Sequence, residues 1–148
     1  MITAISPGKI ILFGEHAVVY ARPAIAAPVF QVRAEVTIQA REDSRVVIDA
    51  VDLARQYDLC DAPPDDPIAT IIRLTCARLD VAPQGFFVQI HSTIPIASGL
   101  GSGAAVSVAV ARALSKFFDR TLSAVEVSAL AYEPRNCITV RRVALTTR

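Results

Sequence analysis

Tryptophan is absent from this chain, and no cluster of lysine and arginine marks one face of it. With a formal charge of only +1, these absences argue against a nucleic-acid partner. Such a partner needs a basic footprint, and an indole is a favoured stacking surface for a base. Cysteine is scarce and odd in number: Cys60, Cys76 and Cys137, with no C-x-x-C and no metal-type spacing. That excludes a disulfide framework and a zinc site, and leaves reduced thiols of a cytoplasmic protein as the expectation. A signal peptide and a long apolar run are both missing. The apolar stretch Ala104–Leu114 is too short to cross a bilayer, so no membrane partner is expected. Internal repeats and low-complexity tracts are absent as well.

The last absence is local. After Glu133 there is no Asp, no Glu and no Gly, while four arginines appear (Arg135, Arg141, Arg142, Arg148). Without those four, 11 basic residues face 14 acidic ones, a net of −3 for residues 1–133. The reading is therefore a domain over 1–133 and a basic tail over 134–148, expected to be poorly ordered because it shows no strand or helix period.

What is present is a core-forming composition, 53% apolar and 20% charged, at a length that suits one domain. Ile2–Ser6 and Lys9–Phe13 read as strands joined by a turn at Pro7-Gly8, or as one kinked strand. Pro23–Pro28 is a further apolar run. Phe30–Ala40 alternates, with Val32, Ala34, Val36 and Ile38 on one face. Arg45–Ala50 is expected to pair with it across Glu42-Asp43-Ser44. Asp52–Pro67 reads as a loop with room for a short helix. Asp66–Asp80 has helical spacing, Phe86–Ser92 alternates as a strand, and Ala104–Phe118 reads as a helix. Ser123–Tyr132 is a second such helix, opened by a capping box of Ser123 and Glu126. The class is α/β (α+β). Cys60, Cys76 and His91 read as structural.

Three glycines, Gly99, Gly101 and Gly103, stand within five residues where the long helix begins. Three readings compete. The glycines could serve only a tight turn and close helix packing. They could expose backbone amides to a phosphate at a helix N-terminus, with Ser98 and Ser102 adding hydroxyls. A dinucleotide fingerprint fails, because G-x-G-x-G is not G-x-G-x-x-G, and a Walker loop fails for want of G-K-[ST]. A second constellation, PGKIILFGEHAVVY, sets Lys9, Glu15 and His16 around Gly14. A lysine can neutralise a transferring phosphoryl group, while a glutamate and a histidine can orient a hydroxyl.

PGKIILFGEHAVVY and PIASGLGSGAA resemble the first two motifs of the GHMP kinases, and GEHAVVY followed by PAIA looks most like the mevalonate kinase branch. The resemblance runs to about Glu133. It implies a domain like the second domain of ribosomal protein S5, with a ferredoxin-like C-terminal domain that would be absent here. It implies ATP-dependent phosphorylation of mevalonate in isoprenoid synthesis, with ATP and Mg²⁺ as cofactors. The phosphates would lie on Pro95, Ile96, Ala97, Ser98, Gly99, Leu100, Gly101, Ser102, Gly103, Ala104 and Ala105. Lys9 would be the catalytic cation, and Glu15 and His16 would contact the substrate. Phosphomevalonate or another small molecule is the alternative substrate.

Two departures accompany the resemblance. Where the family reads GLGSS, this chain has Gly103, leaving Ser102 as the loop hydroxyl for Mg²⁺. Where the family continues with a metal-binding Glu and a GTPSGID-like run bearing a catalytic Asp, the chain reads PRNCITVRRVALTTR. Suitable synonymous codons for that tail, read one frame away, spell EKLHHGTPGGIDNT, which resembles the missing run. The tail is therefore expected to be a frameshift product, a point that sequencing the gene on both strands decides. A chain so altered is expected to bind ATP at best and to self-associate through apolar surface. A non-catalytic remnant, an unstable fragment, or a native short protein with a basic tail are the alternatives.

Overall fold

The computed structural model describes residues 1–18, 20 and 22–132. The tail, with Glu133 and Cys137, lies outside them, so the expectations attached to it are not addressed by the fold. Five strands form one sheet, β1 (Ile2–Phe13), β2 (Ile25–Ala40), β3 (Val46–Ala50), β4 (Arg55–Asp58) and β5 (Phe86–Ser92), in the order β1-β2-β5-β3-β4. The helices are α1 (Glu15–Val18), α2 (Pro67–Arg78), α3 (Ser102–Phe117) and a final helical stretch over 124–132. The expected mixed α/β class is what the chain forms.

The sheet corrects two expectations. β3 does not pair with β2, although only five residues separate them. β5 lies between them, antiparallel to β2 and parallel to β3. The reason is burial. Phe86, Val88 and Ile90 give β5 an inner face that is at most 4% exposed, and only a central position covers it. The segment read as a loop also contains a strand. Arg55–Asp58 pairs antiparallel with β3, flanked by 3₁₀ turns at Val51–Leu53 and Leu59–Asp61. Its sequence RQYD carries no apolar alternation to announce it. Smaller differences concern continuity. β1 is one strand with an irregularity at Pro7/Gly8, and β2 absorbs both the short apolar run and the alternating one.

Core residues come from the inner face of the sheet and from the two helices packed on it. Ala34, Val36 and Ile38 of β2 are fully buried, as are Ile71 and Ile72 of α2 and Val110, Ala113 and Leu114 of α3. Small residues let α3 lie close across β1 and β2: Ala105, Ala109, Ala111 and Ala113 are all buried. At its far end, Phe86, Phe117 and Phe118 form an aromatic cluster with ring centroids 5.0–5.9 Å apart. The outer half of the β1–β2 ribbon instead exposes Leu12, Phe13, Ile25 and Phe30, the two phenylalanines at 71%. Among the described residues, no helix is long and apolar enough to cross a membrane.

α2 is capped by a side chain. Asp66 is buried, and its carboxylate accepts from the amides of Ile68 (2.9 Å) and Ala69 (2.8 Å). The same carboxylate accepts from the Tyr57 hydroxyl at 3.0 Å and lies 3.7 Å from Arg55, whose guanidinium sits over the Tyr57 ring. Burial first, then the Asp66 charge, raises the Tyr57 phenol above its ordinary value. Replacing Asp66 by alanine leaves two amides and a half-buried tyrosine hydroxyl without this acceptor. We expect Asp66→Ala to lose about 2–3 kcal/mol of stability in urea denaturation, and Asp66→Asn, which keeps a cap oxygen, to lose less.

Candidate functional site

α3 begins in the opposite way. Its N-cap is Gly101, in the left-handed region at φ 73° and ψ 36°, with no side-chain cap. The first backbone bond of the helix runs from the Ala105 amide to the Gly101 carbonyl, 3.0 Å. The amides before it have no acceptor among the described residues, and they carry the positive end of the helix dipole. Gly99 is also left-handed (φ 77°), and so is Ala97 (φ 60°). A Cβ added at Gly99 or at Gly103 would meet nothing within 4 Å. The loop is therefore open on that side, wide enough for an oxyanion to approach the backbone. Gly103 lies inside the first turn of α3, which begins at Ser102, two residues earlier than expected. The open space there would hold a serine side chain.

The loop's own hydroxyls divide. Ser98 donates to the Pro95 carbonyl (2.7 Å) and accepts weakly from the Leu100 amide (3.4 Å), so it shapes the turn. Ser102 has no hydrogen-bond partner among the described residues. It faces a cavity of about 210 Å³ together with Gly103, Val106 and Ser107 of α3. The other walls are apolar, Ile68 and Ile71 from α2 and Ile90, Ile94 and Ile96 from β5 and the segment after it, with Asp52 and Leu53 at the end of β3. Sequence reasoning missed this chamber. Its walls are ordinary core residues whose convergence depends on the strand order.

Lys9 is the residue that the fold brings to the loop. Its backbone amide donates to the Leu100 carbonyl at 2.9 Å, and the carbons of its side chain lie against Gly101. Among the described residues its ammonium has no carboxylate partner. Glu15 and His16 lie on α1, beyond the end of β1, both exposed and without hydrogen-bond partners among the described residues. Among the described residues no hydrogen bond or ion pair joins them to Lys9 or to the glycine loop. The turn before them requires glycine: at φ 85°, a Cβ at Gly14 would stand 2.7 Å from the Pro23 carbonyl oxygen.

His91, read as structural, makes one specific contact. Its Nδ1 is 2.8 Å from Asp52, whose other oxygen accepts from the Ser92 amide, so the pair ties the end of β3 to the end of β5 beside the cavity. Glu126 is occupied by the capping box, accepting from the Ser123 amide and hydroxyl at 2.8 Å, and by Arg78. The Ser123 bonds and then the Arg78 charge hold its carboxyl below the usual range. Among the described residues no cluster of three His, Cys, Asp or Glu could hold a metal. Ser102 by itself supplies one neutral oxygen, which does not make a magnesium shell.

Three comparisons bear on this arrangement. The family model described as the GHMP kinases N terminal domain matches residues 67–142. The mevalonate kinase of Thermococcus sibiricus is 35% identical over 147 aligned residues, covering 89% of this chain and 44% of the relative. A crystal structure of a mevalonate kinase superposes with a TM-score of 0.83 at 27% identity, over 94% of this chain and 48% of that one. The Methanococcus jannaschii mevalonate kinase superposes at 0.82 and 27% identity, over 92% and 46%. The chain thus spans about half the length of the relatives it matches.

Proposed function

The chain belongs to the GHMP kinases and carries their N-terminal domain, and from that premise we propose that it is the ATP-binding part of a mevalonate kinase-type phosphotransferase. The observation that carries this reading is the uncapped, glycine-opened start of α3, against which lies a lysine with no carboxylate partner among the described residues. Residues 95–105 hold the polyphosphate through backbone amides. The apolar chamber beside Ser102 takes the flat base, and Asp52, fixed by His91, marks its rim.

Bound ATP supplies the phosphoryl group. Lys9 offsets the charge on that group, and Glu15 and His16 orient the alcohol substrate, for which mevalonate is the first choice by similarity. No step is assigned to magnesium, because the residues described do not build a shell for it. The expected self-association is placed on the apolar β1–β2 ribbon.

Residues 134–148 contain no carboxylate side chain to accept the substrate's proton or to hold a metal. A polypeptide of these 148 residues is therefore expected to bind a non-hydrolysable ATP analogue saturably, yet to give negligible turnover with ATP, Mg²⁺ and mevalonate. Calorimetric titration and a coupled assay measure the two. Absence of binding by a cooperatively folded chain refutes the nucleotide reading. Turnover at ordinary kinase rates refutes the inactivity.

A further inference from the structure

We propose that Gly101 is a positioning residue for Lys9: the side chain it lacks is the space through which the lysine stem reaches the open end of α3. The inference rests on reading the glycine loop as a phosphate site. A Cβ at Gly101 would stand 3.2 Å from both Cγ and Cε of Lys9 and 3.7 Å from Cδ. Its three nearest neighbours are thus carbons of one side chain. Contacts at 3.2 Å are tighter than ordinary carbon packing, so with any larger residue the stem must give by at least a few tenths of an ångström.

The backbone secures the same juxtaposition. The Lys9 amide donates to the Leu100 carbonyl at 2.9 Å, and a Cβ at the adjacent Gly8 would lie 3.4 Å from that oxygen. β1 and the loop therefore meet over two consecutive residues on each side. The ammonium lies one bond beyond Cε and has no carboxylate partner among the described residues. Among the described residues the first amides of α3 lack acceptors as well. One anion satisfies both.

Gly99 separates this role from backbone freedom. It is left-handed like Gly101, at φ 77° against 73°, but nothing lies within 4 Å of the Cβ it would carry. Alanine at either position bears the same left-handed strain. Only at Gly101 does it also displace the lysine.

The test uses the whole chain and adenylyl imidodiphosphate as probe, with Gly99→Ala, Gly101→Ala, Gly101→Asn, Lys9→Ala and the double variant Lys9→Ala/Gly101→Ala. Asparagine accepts the left-handed backbone, so it keeps the comparison valid should alanine distort the loop. Binding is read by calorimetry. Acylation of the Lys9 amine, without nucleotide, is read by mass spectrometry.

Gly101→Ala and Gly101→Asn are expected to weaken binding about tenfold or more, the scale of one misplaced charged contact. In the Lys9→Ala background the Gly101 substitution should cost clearly less than it does in the wild-type chain. The Lys9 acylation rate should change with either Gly101 variant and stay unchanged in Gly99→Ala. Equal losses at Gly101 with and without the lysine side chain, or an unchanged acylation rate, overturn the inference alone. A wild-type chain that binds no analogue overturns the nucleotide reading and this inference with it.

Discussion

Gly101→Val is expected to abolish nucleotide-analogue binding while the protein stays folded. Two independent effects act at that position. The backbone is left-handed, at φ 73° and ψ 36°, a region in which a β-branched residue is strained by about 1–3 kcal/mol. The valine branch also enters the space held by the Lys9 stem, and displacing a charged contact costs a further 1.5–3 kcal/mol or so. Together they come to about 4 kcal/mol, or roughly a thousandfold in affinity. Circular dichroism should show a cooperative transition within a few degrees of wild type, because the loop is exposed and the core lies behind it. An affinity within about threefold of wild type contradicts the account of the site.

Phe86→Ala has the opposite profile, a large loss of stability with the affinity of the remaining folded protein unchanged. Phe86 is 0% exposed, opens β5 opposite Ala40 and Val46, and packs its ring 5.7 and 5.9 Å from Phe117 and Phe118. Truncating a buried phenylalanine costs about 3–5 kcal/mol, a large share of a domain stability of about 5–15 kcal/mol. The midpoint of urea unfolding should fall with little change in slope. The aromatic cluster sits at the C-terminal end of α3, about 24 Å along the helix from the glycine loop, so the two sites are remote. A midpoint unchanged in Phe86→Ala removes the cluster from the account of stability.

Elements with a strong local pattern were legible in the sequence. The period of Asp66–Asp80 gave α2, the alternation in Phe86–Ser92 gave β5, and Ser123 with Glu126 gave a capping box that the hydrogen bonds reproduce. Strand order was not legible. A five-residue connection after β2 looks like a hairpin, and only the burial demanded by β5, nearly forty residues on, places another strand in the gap. β4 escaped because four residues at a sheet edge need no apolar period.

The site divides in the same way. Gly99, Gly101 and Gly103 announced an open loop, and Lys9 was suspected from its company. Their contact joins residues 92 apart, and no local pattern encodes it. The chamber beside Ser102 and the Asp52–His91 pair have the same origin, since both exist only once β3 and β5 lie side by side.

The insertion of β5 between β2 and β3 also bears on how a ribosome delivers this protein. While the first eighty-five residues emerge, β2 and β3 have no neighbour on the sides that β5 will occupy, and each displays a row of unpaired amides and carbonyls. The sheet cannot close until Phe86–Ser92 has left the exit tunnel. Nascent chains paused before that point would be the ones that chaperones must shield and that clump when they do not.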